Sequence, residues 1–173
     1  MDVWTEVDQT RGFRYEVAAE DGSGYIRRRV FHAALAGEQK MWQEGQPQRS
    51  GLNAANYTFE DHGVVDDLPS ITITPRRKDV LLVEGWVFVK PEDGDLVRIE
   101  GRLSKTPSFW TRRVEIVRHY GRVAGVHVPL SIESTAQVLI AGRSTFRMTY
   151  EYQTINGEHV GDPQPRPQPS PPK

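Results

Sequence analysis

The sequence contains no cysteine among its 173 residues. This absence excludes thiol catalysis, disulfide cross-links, cysteine-ligated metals and an N-terminal lipidated cysteine on this chain. Long apolar runs are missing as well, and runs such as Val80–Val83 have only the length of a strand. A helix that spans a bilayer needs roughly 20 apolar residues. We therefore expect a protein that is not integral to a membrane.

Neither sign of charge is in excess, because 22 Lys and Arg residues balance 23 Asp and Glu residues to a formal net charge of -1. A chain with this balance has no general attraction for polyanions, and we expect no nucleic-acid partner. Basic residues do form local runs at Arg27–Arg29, Arg76–Lys78 and Arg112–Arg113, the last beside Phe109–Trp110. We interpret these runs as solvated faces, with a lipid headgroup or a polar partner as the alternative.

The N-terminal residues have neither the basic region nor the apolar core of a signal peptide. A strand-like alternation of Val3, Thr5 and Val7 nevertheless begins almost at Met1. Either the domain starts abruptly or the true start lies upstream of Met1. We favour a start that is truncated in this sequence.

Motifs for catalysis and for cofactor binding are also missing. The five histidines form no HExxH or HxH pattern, no GxSxG nucleophile motif occurs, and Gly22–Gly24 is too short for a phosphate-binding loop. We therefore expect no catalytic residue, no metal and no cofactor, and we predict that the chain is not an enzyme.

One segment has the period of a helix. Its apolar positions follow Asp21–Gly24 at steps of three and four residues, from Ile26 through Val30 to Met41. This spacing places them on one helix face and predicts an amphipathic helix over about residues 24–44. The proline-rich residues 160–173 predict a disordered tail after a single domain of residues 1–159.

Most of the remaining chain alternates apolar and polar residues with period two, which is typical of half-buried strands. The sequence predicts eight to nine strands, in segments that include residues 13–19, 57–61, 71–73, 83–89, 97–103, 114–116, 132–140 and 146–153. Pro91–Gly94 predicts a hairpin turn between two of them. The predicted fold class is therefore mainly β (α+β). Because the connections between the strands are short, we expect the strands to form a curved antiparallel meander sheet. A single helix covers little of the apolar face of such a sheet, so part of that face is expected to form a pocket.

Residues 80–157 resemble a known family. The run from Leu96 to Trp110 carries a G-x-L step and then Thr-Pro-Ser-Phe-Trp, and Gly125–Pro129 leads into the next strand. A closing strand of alternating aromatic residues, Phe146 to Tyr152, ends near Asn156-Gly157. These passages resemble bacterial outer-membrane lipoprotein-sorting proteins, the LolA-like periplasmic lipoprotein carriers.

The resemblance implies an incomplete (half) β-barrel that is covered by helix, as in LolA and LolB. It implies a non-catalytic periplasmic binding or carrier protein for lipid or lipoprotein acyl chains, with membrane transport components as partners. The cytoplasm is the alternative location. The alternative function is a structural or protein-interaction module whose half-barrel core is filled, and a hydrolase is the least favoured hypothesis.

The residues that we predict to line the concave apolar face come from three predicted strands and from the Phe109-Trp110 passage before one of them. They are Val87, Val89, Phe109, Trp110, Val114, Ile116, Phe146, Met148 and Tyr150. Each of them is also a candidate for ordinary core packing.

Overall fold

The computed structural model describes residues 2–8, 12–19, 39–40, 47–139 and 142–161. The described residues divide into two units, one ending at Arg49 and the other beginning at Ser50. Residues 39 and 40 are helical, and the rest of the helix predicted over residues 24–44 lies outside the described residues. The predicted tail also lies outside them, apart from residues 160 and 161.

The first unit contains an antiparallel hairpin. Strand β1 (Asp2–Asp8) pairs with β2 (Gly12–Ala19), and Thr5 lies opposite Tyr15. Both strands coincide with segments whose period-two alternation predicted extended structure. A short 3-10 helix, Pro47–Ser50, then follows in the chain.

The second unit is built on an open sheet of seven strands in sequence order, each antiparallel to the next. The strands are β3 (Tyr57–Val65), β4 (Leu68–Pro75), β5 (Val83–Val89), β6 (Leu96–Leu103), β7 (Thr111–Val123), β8 (Val126–Val138) and β9 (Gly142–Thr149). The predicted mainly β class and antiparallel meander are confirmed. Residues 50–139 and 142–161 contain no α-helix, and the two edge strands, β3 and β9, do not pair to close a barrel.

Tight turns fix the register of the hairpins. Val65 pairs with Leu68 across Asp66-Asp67, and Val123 pairs with Val126 across Ala124-Gly125, with positive φ at all four turn residues. Two-residue loops with this backbone match the twist of the flanking strands. The turn predicted at Pro91–Gly94 does join β5 to β6. The last strand is displaced from its prediction over residues 146–153, because β9 begins at Gly142 and ends at Thr149.

The chain then forms a separate two-stranded ribbon. Strands β10 (Thr154–Ile155) and β11 (Glu158–His159) pair across Asn156-Gly157, both of which have positive φ. The Asn-Gly dipeptide suits this turn because both residues tolerate that backbone conformation.

The two faces of the seven-stranded sheet differ in chemistry. The inner face, defined by Ile73, Val87, Ile99 and Ile116, carries the buried core. The outer face carries charged residues, and Arg102 donates to Glu84 at 2.8 Å on the neighbouring strand. Because residues alternate between faces along a strand, the period-two pattern separates the core from the solvated surface.

Candidate ligand cavity on the inner face

A cavity of about 300 Å³ opens on the inner face of the sheet. Its wall contains side chains from five strands, β3 to β7, and from the segments before β3 and β5. The lining residues are Ser50, Gly51, Leu52, Tyr57, Ile73, Leu81, Val83, Leu96, Ile99, Arg118 and Tyr120. The volume lies at the lower end of the range for small-molecule pockets, which are mostly apolar with a few placed polar groups.

The cavity shows how strongly the sheet curves. Tyr57 lies on β3 and Arg118 on β7, four strands further along the sheet. In a flat sheet, four strand spacings would separate them by about 19 Å, yet both line the same cavity. The inner face is therefore concave at this point.

Tyr57 forms part of the cavity wall. Its side chain is buried, and its hydroxyl accepts a hydrogen bond of 3.1 Å from the Val83 N–H at the start of β5. Burial raises the pKa of the Tyr57 hydroxyl above its ordinary value. The ring presents an apolar surface to the cavity together with one satisfied polar atom.

A buried polar cluster holds the segment that carries Leu81. Asp79 accepts from the Leu81 N–H at 3.1 Å and lies 3.4 Å from the Arg77 guanidinium. Arg77 also donates to the Asn56 side chain at 2.6 Å, and the Ser104 hydroxyl donates to the Asp79 carbonyl at 2.8 Å. Because each of these groups has a partner, the loop before β5 is held against β3 and the end of β6.

Arg118 is the charged residue in the cavity wall. It lies on β7 in the row of cross-strand neighbours that runs from Val87 through Ile99 to Ile132 and Met148. Its side chain is exposed, and no carboxylate of the described residues forms an ion pair with it. A guanidinium beside an apolar cavity is free to pair with an anionic group of a ligand.

The predicted concave-face residues fall into three groups. Val87, Val114 and Ile116 are buried in the core of the inner face. Phe146 and Met148 lie opposite Ser134 and Ile132 on the same face, where they are more exposed. The register thus brings all five together on the inner face.

The remaining four predicted residues are one that packs against the same core and three that lie outside the strands. Val89 packs against the core beside a register shift in β5. Tyr150 follows β9 and stacks on Tyr152, with ring centroids 6.5 Å apart. Phe109 and Trp110 lie in the loop before β7 and are 85% and 54% exposed. None of the nine predicted residues contributes to the wall of the cavity, so their role in ligand binding stays a prediction.

Sequence reasoning missed Arg118, although the sequence carries a signal for it. Val114 and Ile116 alternate on β7, and Arg118 is the next position in the same phase. Arg118 is recognisable in the sequence because it is a cation at a position where the alternation of the strand otherwise places apolar residues.

The described residues form neither a metal site nor a membrane-spanning helix. Residues 47–139 and 142–161, together with the two described N-terminal strands, contain no group of three side chains able to hold a metal ion. Within the same residues, no helix has the length and apolar character required to cross a membrane.

The comparisons with known proteins give no relative. No family model matches the chain, and neither a curated protein nor a solved structure resembles it significantly. The interpretation of the cavity therefore depends on its own geometry.

Proposed function

We propose that this protein is a non-catalytic binding or carrier protein for lipid or lipoprotein acyl chains, which it takes up on the concave inner face. The observation that carries the proposal is the apolar cavity of about 300 Å³, whose wall contains Arg118, a cation that pairs with no described carboxylate. Burial of an acyl chain contributes about 0.8 kcal/mol per methylene.

The inner face offers more apolar surface than the cavity alone. From Arg118 the row of neighbouring side chains continues to Ile132 and Met148, and Phe146 lies in the adjacent row. Met148 is about one-third exposed. A chain-like ligand that starts in the cavity could extend along this strip toward β9, which suits an acyl chain better than a compact ligand.

The resemblance to LolA-like carriers agrees with this proposal. Under it, the second unit is a half-barrel of the LolA/LolB type. The protein would then act in the periplasm and exchange its ligand with membrane transport components. A cytoplasmic lipid-binding protein is the alternative location for the same activity.

A filled structural module is the second candidate function. The observation that favours it is the close packing of Val87, Val114 and Ile116, each less than 9% exposed, in the middle of the inner face. In that case the cavity beside this core would take up no chain-like ligand.

A binding assay separates the two candidates. The full chain is titrated into a fluorescent fatty acid, and saturable uptake is expected for the carrier. Leu52→Trp adds bulk at the cavity wall and should weaken uptake, whereas Leu139→Trp is the matched control. Leu52 and Leu139 are 40% and 43% exposed, and only Leu52 lines the cavity.

Circular dichroism must show that both variants are folded. If the folded wild type takes up no acyl ligand, the carrier proposal is wrong and the filled module is the better account. If both tryptophan variants weaken uptake equally, the ligand does not occupy this cavity.

A further inference from the structure

Three connections of the seven-stranded sheet meet at one of its ends. In an antiparallel meander the connections alternate between ends, which places residues 76–82, residues 104–110 and Leu139 at the same end. Hydrogen bonds join them: the Asp79 N–H donates to the Ser104 hydroxyl at 3.0 Å, and the Leu139 N–H donates to the Trp110 carbonyl at 2.9 Å. We call this surface the loop end of the sheet.

The loop end exposes large apolar side chains. Phe109 is 85% exposed and contacts Trp110 edge-on, with ring centroids 5.4 Å apart. Val80, Leu81 and Leu139 are exposed on the neighbouring segments. Exposed aromatic and aliphatic side chains grouped on one surface mark an interaction site more often than isolated ones do.

Positive charge surrounds these apolar residues. Four exposed cations lie at the loop end and form no ion pair with any described residue: Lys78, Lys105, Arg112 and Arg143. The carboxylates nearest in sequence are engaged, because Asp79 is buried against Arg77, Glu84 bonds to Arg102, and Glu115 bonds to Arg113. The loop end is therefore locally cationic, although the net charge of the chain is -1.

The opposite end of the sheet is more acidic. Its hairpin turns between β3 and β4 and between β5 and β6 carry five acidic residues: Asp66, Asp67, Glu92, Asp93 and Asp95. Asp66 pairs with Arg98 and Asp95 with Arg122, whereas Asp67, Glu92 and Asp93 form no ion pair with a described residue. This asymmetry gives the second unit one orientation in which it can approach a negatively charged surface.

We propose that the loop end docks on an anionic lipid bilayer. Tryptophan and phenylalanine favour the boundary between headgroups and acyl chains, and nearby Lys and Arg residues are attracted to anionic headgroups. Nucleic acid shares the negative charge, but the aliphatic Val80, Leu81 and Leu139 have no aromatic face on which a base could stack. This proposal does not depend on ligand binding in the cavity.

Vesicle sedimentation tests the proposal with the full chain and no added ligand. We expect binding to vesicles of phosphatidylcholine with phosphatidylglycerol, weaker binding to phosphatidylcholine alone, and loss of binding as salt rises. Replacing Phe109 and Trp110 together by serine should weaken binding on the order of tenfold or more. Replacing Lys78 and Arg112 together by glutamate should do the same.

Matched controls lie at the acidic end. Val64 is 69% exposed there, and Lys90 is exposed beside the β5–β6 turn. Val64→Ser and Lys90→Glu should leave vesicle binding unchanged, and circular dichroism should show every variant folded. Equal weakening of vesicle binding by the control substitutions would overturn the proposal. Vesicle binding that does not depend on anionic lipid, or that does not depend on Phe109 and Trp110, would overturn it as well. Binding to RNA or to an acidic protein without binding to vesicles would also overturn it.

Discussion

Gly85 on β5 and Gly101 on β6 lie directly opposite each other on the inner face of the sheet. A Cβ atom on Gly85 would overlap the Glu100 carbonyl oxygen, and one on Gly101 would overlap the Glu84 carbonyl oxygen. Ile73 and Ile116 are the next neighbours on either side of this pair. The two glycines let the strands approach and bend at the centre of the face, which helps to make the inner face concave.

Gly85→Ala should therefore destabilise the protein more than an ordinary glycine substitution does. The added methyl group meets backbone atoms, which cannot rotate away, so we expect a loss of about 2 kcal/mol or more in the free energy of unfolding. Urea denaturation measures this loss. Gly94→Ala is the control, because a Cβ there meets open space and only its φ of 72° is unfavourable, at about 1 kcal/mol. Equal losses in the two variants would contradict the steric argument.

The strands could be predicted from the sequence because each has one apolar and one polar face. Ile71 and Ile73 on β4, for example, alternate with Thr72 and Thr74, and the register places both isoleucines on the inner face. Alternation with period two indicates which side chains of a strand are buried and which are solvated. The same alternation also predicted that this face is concave.

The exact location of the cavity could not be predicted, because it depends on register and curvature. Register shifts in β5 at Phe88/Val89 and in β7 at His119/Tyr120 change which residues meet across the sheet. Phe109 and Trp110 are predicted to line the inner face, whereas they lie in the loop before β7, where they are exposed.

The β7–β8 turn offers a stabilising substitution. Ala124 has φ of 47° and precedes Gly125, whose φ is 78°. An alanine in this left-handed conformation is strained, and Asn-Gly is the preferred sequence for such a two-residue turn. Ala124→Asn should raise the free energy of unfolding by about 0.5–1 kcal/mol. Ala124→Val should lower it, since a β-branched residue tolerates positive φ poorly. Thermal unfolding of both variants checks the opposite signs.

Tyr152 predicts a pH dependence of stability. Its hydroxyl donates to the Pro129 carbonyl at 2.7 Å, and burial raises the pKa of Tyr152 to about 12. The unfolded chain therefore releases this proton at lower pH than the folded chain does. The contribution of Tyr152 to stability is present below about pH 10 and is lost as the pH rises toward 12.

Urea denaturation across this pH range, compared with Tyr152→Phe, isolates the effect. The variant should be less stable at neutral pH, because the hydrogen bond is gone, and it should lose less stability between pH 10 and pH 12. Parallel curves for the two proteins would show that the ionisation of Tyr152 is not coupled to folding.

The last prediction concerns the charge of the ligand. Arg118 borders an apolar cavity and pairs with no described carboxylate, so it can bind the carboxylate of a fatty acid whose chain lies in the cavity. A hydrogen bond to a charged group contributes about 1.5–3 kcal/mol. Arg118→Gln should therefore weaken the binding of a fatty acid by about tenfold, while leaving the binding of the fatty alcohol of equal length nearly unchanged.

Arg102→Gln is the matched control, because Arg102 lies on the outer face of the sheet and pairs with Glu84. It should affect neither ligand. Displacement of a fluorescent fatty acid by each competitor measures both affinities in one assay. If Arg118→Gln weakens the acid and the alcohol equally, Arg118 shapes the cavity without binding the headgroup. If it weakens neither, the acyl chain is oriented with its carboxylate away from β7.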